Sequence, residues 1–324
     1  MFRIDRRLLQ NVDWVLLATA LALIGLGLLT LWSLPTRSAS GGASWRQLSW
    51  VGVGLLALLA VASLDYRRLI RFAPAFYLGG VALLVTVFVV GRPVAGARRW
   101  LSLGPISLQP SELFKLIFIL TLVWALTSRW RDQLPRGVTL FSLGLLAIPV
   151  FLMARQPDLG SALVLLPVLL AILIGASVEF RLMGWLGAGA LAAAPLTWFV
   201  LKGYQRERLL VFLDPFRDPL GSAYNVIQAR IAIGSGQLLG KGIRGATQSQ
   251  LAFLPERHTD FIFAVFAEQW GFVGCLVLIV GYAVLFLRGF DIAATTREPA
   301  GRLLALGVTA LQAALMDSIP IVAF

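Results

Sequence analysis

Apolar residues in this chain gather into long runs, and the charged residues fall mainly in the short stretches between them. A helix needs about 20 mostly apolar residues to cross the hydrocarbon of a bilayer. That length picks out about nine segments: Trp14–Leu34, Trp45–Leu64, Phe72–Gly91, Ser111–Ser128, Val138–Met153, Leu159–Ala176, Leu182–Leu201, Phe261–Leu287 and Leu303–Phe324. The expected fold class is an all-α polytopic integral membrane protein, read as one membrane domain over residues 1–324. The first run is long enough to span and lacks a small-residue cleavage pattern, so no cleavable signal peptide is expected.

Composition agrees with this pattern. The 324 residues are 58% hydrophobic and 14% charged, with a mean hydropathy of +0.83, whereas soluble domains carry about 25% charged residues. A net charge of +12 would suit nucleic acid, but these arginines and lysines belong to loops between spans, which removes nucleic acid as the expected partner. Their distribution also orients the chain. With the N-terminus inside, the inner segments carry Arg3, Arg6, Arg7, Arg67, Arg68, Arg71, Arg129, Arg131, Arg136, Arg181, Arg288, Arg297 and Arg302. The short outer loops carry only Arg37, Arg46, Arg92, Arg98, Arg99 and Arg155, so the N-terminus is cytoplasmic. The single cysteine, Cys275, lies in an apolar run and excludes an intrachain disulfide.

One connection is far longer than the rest. Lys202 to Asp260 lies outside, before the eighth span, and holds Lys202, Arg206, Arg208, Arg217, Arg230, Lys241, Arg244 and Arg257. Loops of this length are usually functional, and its charge suits an anionic ligand such as a lipid phosphate. Within it, residues 223–233 have helical apolar spacing through Val226, Ile227 and Ile231 with Ala223 and Ala229, as in an amphipathic segment lying in the interface.

Four outer-side motifs carry candidate chemistry. In the first, Arg98-Arg99-Trp100 is followed by Gln109-Pro110-Ser111-Glu112 and Lys115. Ser111 is placed to cap a helix, and Glu112 and Lys115 share a face at i, i+3. A lysine one turn into a membrane snorkels, pairs or faces a wet cavity. The second, Arg155-Gln156-Pro157-Asp158-Leu159-Gly160, places Asp158 either as a helix cap or as a cavity carboxylate. The third holds Gln228, then Gly234-Ser235-Gly236 and Gly240-Lys241-Gly242, whose glycines permit a cradle of backbone N–H groups for phosphate or simply tight turns. The fourth, Phe253-Leu254-Pro255-Glu256-Arg257-His258-Thr259-Asp260-Phe261, packs acids, an arginine and the only histidine against a helix start. One histidine with neighbouring acids is no zinc constellation, and Thr259 or Asp260 would also serve as a cap. Glu268, roughly two turns into that helix, requires a polar partner or a cavity.

Together these four motifs resemble the SEDS family (shape, elongation, division and sporulation) over about Asp13 to Ala310. Residues 311–324 diverge, and the family's tenth helix has no counterpart. Ala267-Glu268-Gln269-Trp270-Gly271 also stands where the family usually has Ala-Glu-Glu-Leu-Gly. The resemblance implies a peptidoglycan glycosyltransferase in the bacterial inner membrane that polymerises lipid II for cell-wall elongation. Its implied partner is a class B penicillin-binding protein acting as transpeptidase. It assigns Asp260 as general base, or as the carboxylate orienting the acceptor hydroxyl. Arg98, Glu112, Lys115, Asp158, Gln228, Lys241, Glu256 and His258 are then candidate substrate-binding residues. Basic side chains or a divalent cation, Mg2+ or Mn2+, would stabilise the departing pyrophosphate. Two alternatives remain at this point. Charged groups inside the spans also suit a lipid-linked precursor flippase or transporter, and the divergent C-terminus suits a truncated, inactive scaffold.

Overall fold

The computed structural model describes residues 12–34, 42–94, 97–103, 106–129, 135–156, 158–178, 224–246 and 261–316, with a few isolated positions between 184 and 210. In chain order the elements are α1 (Trp14–Trp32), α2 (Gly42–Ala62), α3 (Tyr66–Arg71), α4 (Ala73–Val90), β1 (Arg92–Val94), β2 (Ala97–Leu103), β3 (Ile106–Leu108) and α5 (Pro110–Trp124). A π-helical turn follows (Ala125–Arg129), then α6 (Pro135–Arg155), α7 (Leu159–Gly175), α8 (Tyr224–Ser235), α9 (Gly242–Gly245), α10 (Ile262–Thr295) and α11 (Pro299–Met316). Seven of these helices are long and apolar enough to span a membrane, and α7 is a shorter apolar eighth. They match eight of the expected segments; the expected span Leu182–Leu201 lies outside the described residues apart from isolated positions. Exposed leucines and valines cover their outer faces, as on Leu56 (68% exposed) and Val89 (81%), which is what a surface wetted by lipid requires. The protein is a multi-pass membrane protein.

Two compact units divide the chain. The first comprises Met1–Ser63, Gly189–Arg288 and Ile319–Phe324. Here α1 runs antiparallel to α10. Asp13 caps α1 by accepting from the Leu16 backbone N–H (2.9 Å) and also meets Arg288 at 3.0 Å. Further along, Leu23 packs so close to Gly281 that an added Cβ would lie 2.9 Å from it, and Leu31 and Leu34 cluster with Val265. The helix expected inside the long loop is present as α8. Of the apolar positions the spacing picked out, Ala229 is buried and packs with Ala232 against Ala264, Val226 and Ile227 are partly buried, and Ile231 is 45% exposed. Alanines win this contact because small side chains let two backbones approach closely.

The second unit comprises Leu64–Ala188 and Gly289–Ser318. Its core joins α4, α5, α6, α7 and α11 through Leu84, Phe114, Phe118, Met153, Ile172 and Leu303. Close approach is again built on small residues. A Cβ at Gly307 of α11 would meet Ile119 and Ile172, each at 2.8 Å. The all-helical expectation gains one exception among the described residues, an antiparallel meander β1-β2-β3 pairing Arg92 with Trp100 and Leu101 with Leu108. Its strands are three to seven residues long, too short to stand out by periodicity. In the π turn two hydroxyls bond back along the chain. Thr127 and Ser128 hydroxyls donate to the carbonyls of Val123 (2.7 Å) and Trp124 (2.5 Å), the acceptors an α-helix would give to backbone N–H groups.

Gly307→Leu should therefore lower the unfolding temperature in detergent, through an overpacking cost of about 1–3 kcal/mol. Gly25→Leu, where no atom lies within 4 Å, should leave it nearly unchanged. Equal melting of both variants would refute tight packing of α11.

Candidate active site

At the outer end of the second unit, three elements converge on one carboxylate. Asp158 is 5% exposed and sits at the N-terminal boundary of α7, yet it makes no side-chain capping bond. Instead its Oδ2 accepts from Gln109 Nε2 and from the Ser111 hydroxyl, both at 2.9 Å, and its Oδ1 lies 3.8 Å from Arg99 Nη1. The purely capping role that the sequence left open for Asp158 is thus removed. Ser111 does not cap either. Helix α5 begins at Pro110 with Gln109 as its N-cap, and the Ser111 hydroxyl is turned to Asp158. Pro at the first helical position loses nothing, because that N–H would be unpaired anyway.

Lys115, one turn further along α5, is 2% exposed. Its ammonium nitrogen lies 2.8 Å from Glu112 Oε1 and 2.7 Å from Oε2, while Glu112 is half-exposed. A buried lysine with a carboxylate at this distance keeps its charge compensated, and the half-exposed acid leaves the pair open on one side. Arg99, which sequence reasoning passed over in favour of Arg98, is the arginine that reaches Asp158. Its Nε is buried with no hydrogen-bond partner. The signal that distinguishes neighbours in Arg98-Arg99 is strand alternation, legible only once β2 is known. The Arg98 side chain lies outside the described residues.

In the first unit, the glycine-rich turn after α8 has an unexpected task. Helix α10 is interrupted at Gly271 (φ 64°, ψ −164°), a backbone state open essentially to glycine. The interruption frees the N–H groups of Phe272 and Val273, which donate to the carbonyls of Gln237 (2.8 Å) and Leu238 (3.1 Å). In return the freed Glu268 carbonyl accepts from Lys241 N–H at 3.0 Å. Only glycine fits such contact: a Cβ at Gly236 would lie 2.1 Å from the Ala267 carbonyl oxygen, and one at Gly240 (φ +80°) 2.2 Å from that of Gln269. Of the two readings open for this stretch, these contacts support the tight turn. Backbone N–H groups of Gly236, Gln237, Gly240 and Lys241 are all already given to carbonyls.

This clamp also positions side chains. Glu268 is fully buried, with Lys241 Nζ 3.9 Å from its Oε1. Gln269, standing where the family usually has a second acid, is 3% exposed and donates to the Ser33 hydroxyl at 2.8 Å. Gln228 is half-buried on α8. Glu256, His258 and Asp260 lie outside the described residues, while the adjacent Phe261 packs against the alanine cluster of α8 and α10. Among the described residues no three His, Cys, Asp or Glu side chains converge, and Asp158, Glu112 and Glu268 each face a cation instead.

Comparison with known proteins agrees in sequence and in fold. The family model of the FtsW/RodA/SpoVE group, described as Cell cycle protein, matches residues 13–319, past the Ala310 at which the motif likeness ended. Peptidoglycan glycosyltransferase MrdB of Escherichia coli K12 is 40% identical over 304 residues, covering 92% of this chain and 80% of that protein. A probable peptidoglycan glycosyltransferase FtsW from Alkalilimnicola ehrlichii is 36% identical over 315 residues, covering 93% and 77%. Among solved structures, a chain of a peptidoglycan synthase complex that coordinates polymerization and crosslinking superposes with a TM-score of 0.74 at 34% identity, covering 95% of this chain and 88% of that one. The rod shape determining protein RodA of Thermus thermophilus gives 0.69 at 28% identity, covering 95% and 83%.

Three substitutions test this geometry. Asp158→Ala, which strands Gln109, Ser111 and Arg99, should cost about 1–3 kcal/mol in unfolding free energy, and Asp158→Asn less, since one acceptor oxygen survives. Gly240→Val should be worse than either, because it meets both a forbidden φ and a backbone oxygen. Thermal unfolding in detergent ranks the three, and a Gly240→Val protein as stable as wild type would disprove the clamp.

Proposed function

This chain belongs to the FtsW/RodA/SpoVE family of cell cycle proteins, and from that premise we propose that it polymerises lipid II on the outer face of the bacterial inner membrane. It is a peptidoglycan glycosyltransferase acting on a cell-wall precursor, with a synthase partner. The observation that carries this function is the 40% identity to a peptidoglycan glycosyltransferase across 92% of the chain. Geometry adds to it: the buried knot of Arg99, Gln109, Ser111 and Asp158 is built from motifs that carry the family likeness, at helix ends that the arginine distribution assigns to the outside.

Glycosyl transfer forms a bond from the acceptor hydroxyl oxygen to the donor's anomeric carbon while the bond from that carbon to the lipid pyrophosphate breaks. The hydroxyl proton must leave, and we assign it to Asp260 as general base or orienting carboxylate. Such positioned proton transfer contributes about 10²–10⁴-fold. An ordinary aspartate, with a pKa of about 3.9, is a weak base, so the role requires surroundings that raise it. Charge growing on the pyrophosphate is met by basic residues of the outer side, with Arg98, Arg99 and Lys241 as candidates. Glu112, Lys115 and Asp158 shape the polar wall, with Gln228, Glu256 and His258 as further contacts. The crosslinking partner we propose is a class B penicillin-binding protein.

Purified protein with that partner and lipid II should yield glycan strands, and Asp260→Ala should cut the yield by about 10²-fold or more. Undiminished polymer in the variant would sink the assignment of Asp260. Lipid movement across proteoliposomes without polymer would make the protein a flippase, and a folded wild type giving neither would make it a scaffold.

A further inference from the structure

The second unit has a second polar feature, at the end opposite Asp158. A cavity of about 620 Å³ opens between α3, the π turn, the start of α6, the residues following α7 and the start of α11. Every one of these segments falls on the side that the arginine distribution assigns to the cytoplasm. Ser111 and Thr127 mark the two ends on one helix, roughly 24 Å apart at about 1.5 Å per residue. The cavity is therefore remote from the glycosyl-transfer chemistry.

Two departures from regular backbone meet at its wall. Thr127 belongs to the π turn, a feature concentrated at functional sites. Ser177 has φ 59°, a left-handed conformation uncommon for a residue with a Cβ. The wall also holds three charged side chains, Arg67, Glu298 and Arg302. Two of them neutralise each other: Glu298 accepts from Arg67 Nη2 at 2.7 Å and from the Tyr66 hydroxyl at 2.5 Å. Arg67 first, then Tyr66, holds the Glu298 carboxyl below the usual carboxylate range, so it stays ionised and committed to Arg67.

Arg302 is left over. Among the described residues no carboxylate forms an ion pair with its guanidinium, which lines the cavity with its positive charge uncompensated. Beside it, the first turn of α11 brings the positive end of an 18-residue helix to the same wall at Ala300. Apolar Ile70, Val178 and Leu303 complete the lining.

We propose that this cytoplasmic-side cavity binds a phosphate-bearing anion, with Arg302 and the first turn of α11 holding the phosphate oxygens and the apolar wall taking the attached carbon. Phosphate of this kind comes from an anionic phospholipid headgroup or from a free phosphate, and the two are separable by experiment. In detergent, inorganic phosphate is titrated against the full-length protein while thermal unfolding is followed. In nanodiscs of phosphatidylglycerol mixed with phosphatidylcholine, lipids retained on the protein are counted by native mass spectrometry. Arg302→Gln should weaken binding about tenfold. Ala300→Asp should abolish it while sparing the fold, since an acid suits a helix's first turn but repels an anion. Saturable stabilisation by phosphate without lipid retention identifies a free phosphate; selective retention of phosphatidylglycerol identifies a headgroup. Neither effect, or binding unchanged in both variants, overturns the proposal.

Discussion

Within hydrocarbon there is no water to accept a released backbone hydrogen bond, so a spanning helix that breaks must find protein partners for every group it frees. Helix α10 breaks at Gly271, and the turn between Gly236 and Lys241 takes up the freed Phe272 and Val273 N–H groups and the Glu268 carbonyl. The arrangement explains several sequence features at once. Glycines at 236, 240 and 271 are there because backbone lies against backbone, closer than any Cβ permits. Glu268 is fully buried in the turn immediately before the break, and its own carbonyl is one of the exchanged acceptors. A loop outside the membrane and a helix within it thereby become one hydrogen-bonded piece, and that helix starts two residues after Asp260.

A comparable economy holds in the second unit. Asp158 draws its partners from a strand, a helix cap and the first turn of that helix, so one buried carboxylate fixes the outer ends of β2, α5 and α7. The two short bonds to Oδ2 carry most of this. Hydrogen bonds to a charged group are worth about 1.5–3 kcal/mol, whereas the Arg99 approach at 3.8 Å is longer than a hydrogen bond and adds orientation more than stability.

How much of this was readable beforehand follows the range of the interactions. Spanning helices are local in sequence and governed by one solvent, so a length ruler located several to within a few residues, as with Trp14–Trp32 and Ala73–Val90, though α10 runs on to Thr295, well past the expected Leu287. Motifs located the polar clusters but not their wiring. Nothing local says that Ser111 turns to Asp158 rather than to its own backbone, since that choice is decided 47 positions away. Glycine-rich turns look alike whether they cradle a phosphate or a helix backbone. Only the non-helical Gly271 distinguishes them, and Ala267-Glu268-Gln269-Trp270-Gly271 reads as ordinary helix. The short strands were hidden for a related reason: they derive from tertiary contact, not from periodicity.

The π turn at the end of α5 has a consequence for how this sequence can vary. Each residue of a helix turns the chain by about 100°, so a five-residue wide turn acts as a phase offset between the helix before it and the chain after it. Upstream, Phe114, Phe118 and Leu122 keep the phase that buries them; downstream, Leu126 and Thr127 take a different one that directs them to the inner cavity. Loss of one residue between Ala125 and Arg129 would restore an ideal helix and improve its local hydrogen bonding. It would also swing the hydroxyl-bearing wall away from its cavity. Insertions and deletions at this point are therefore constrained by angle, with scarcely any constraint from length, although the segment leads directly into a connection that would otherwise be free to vary.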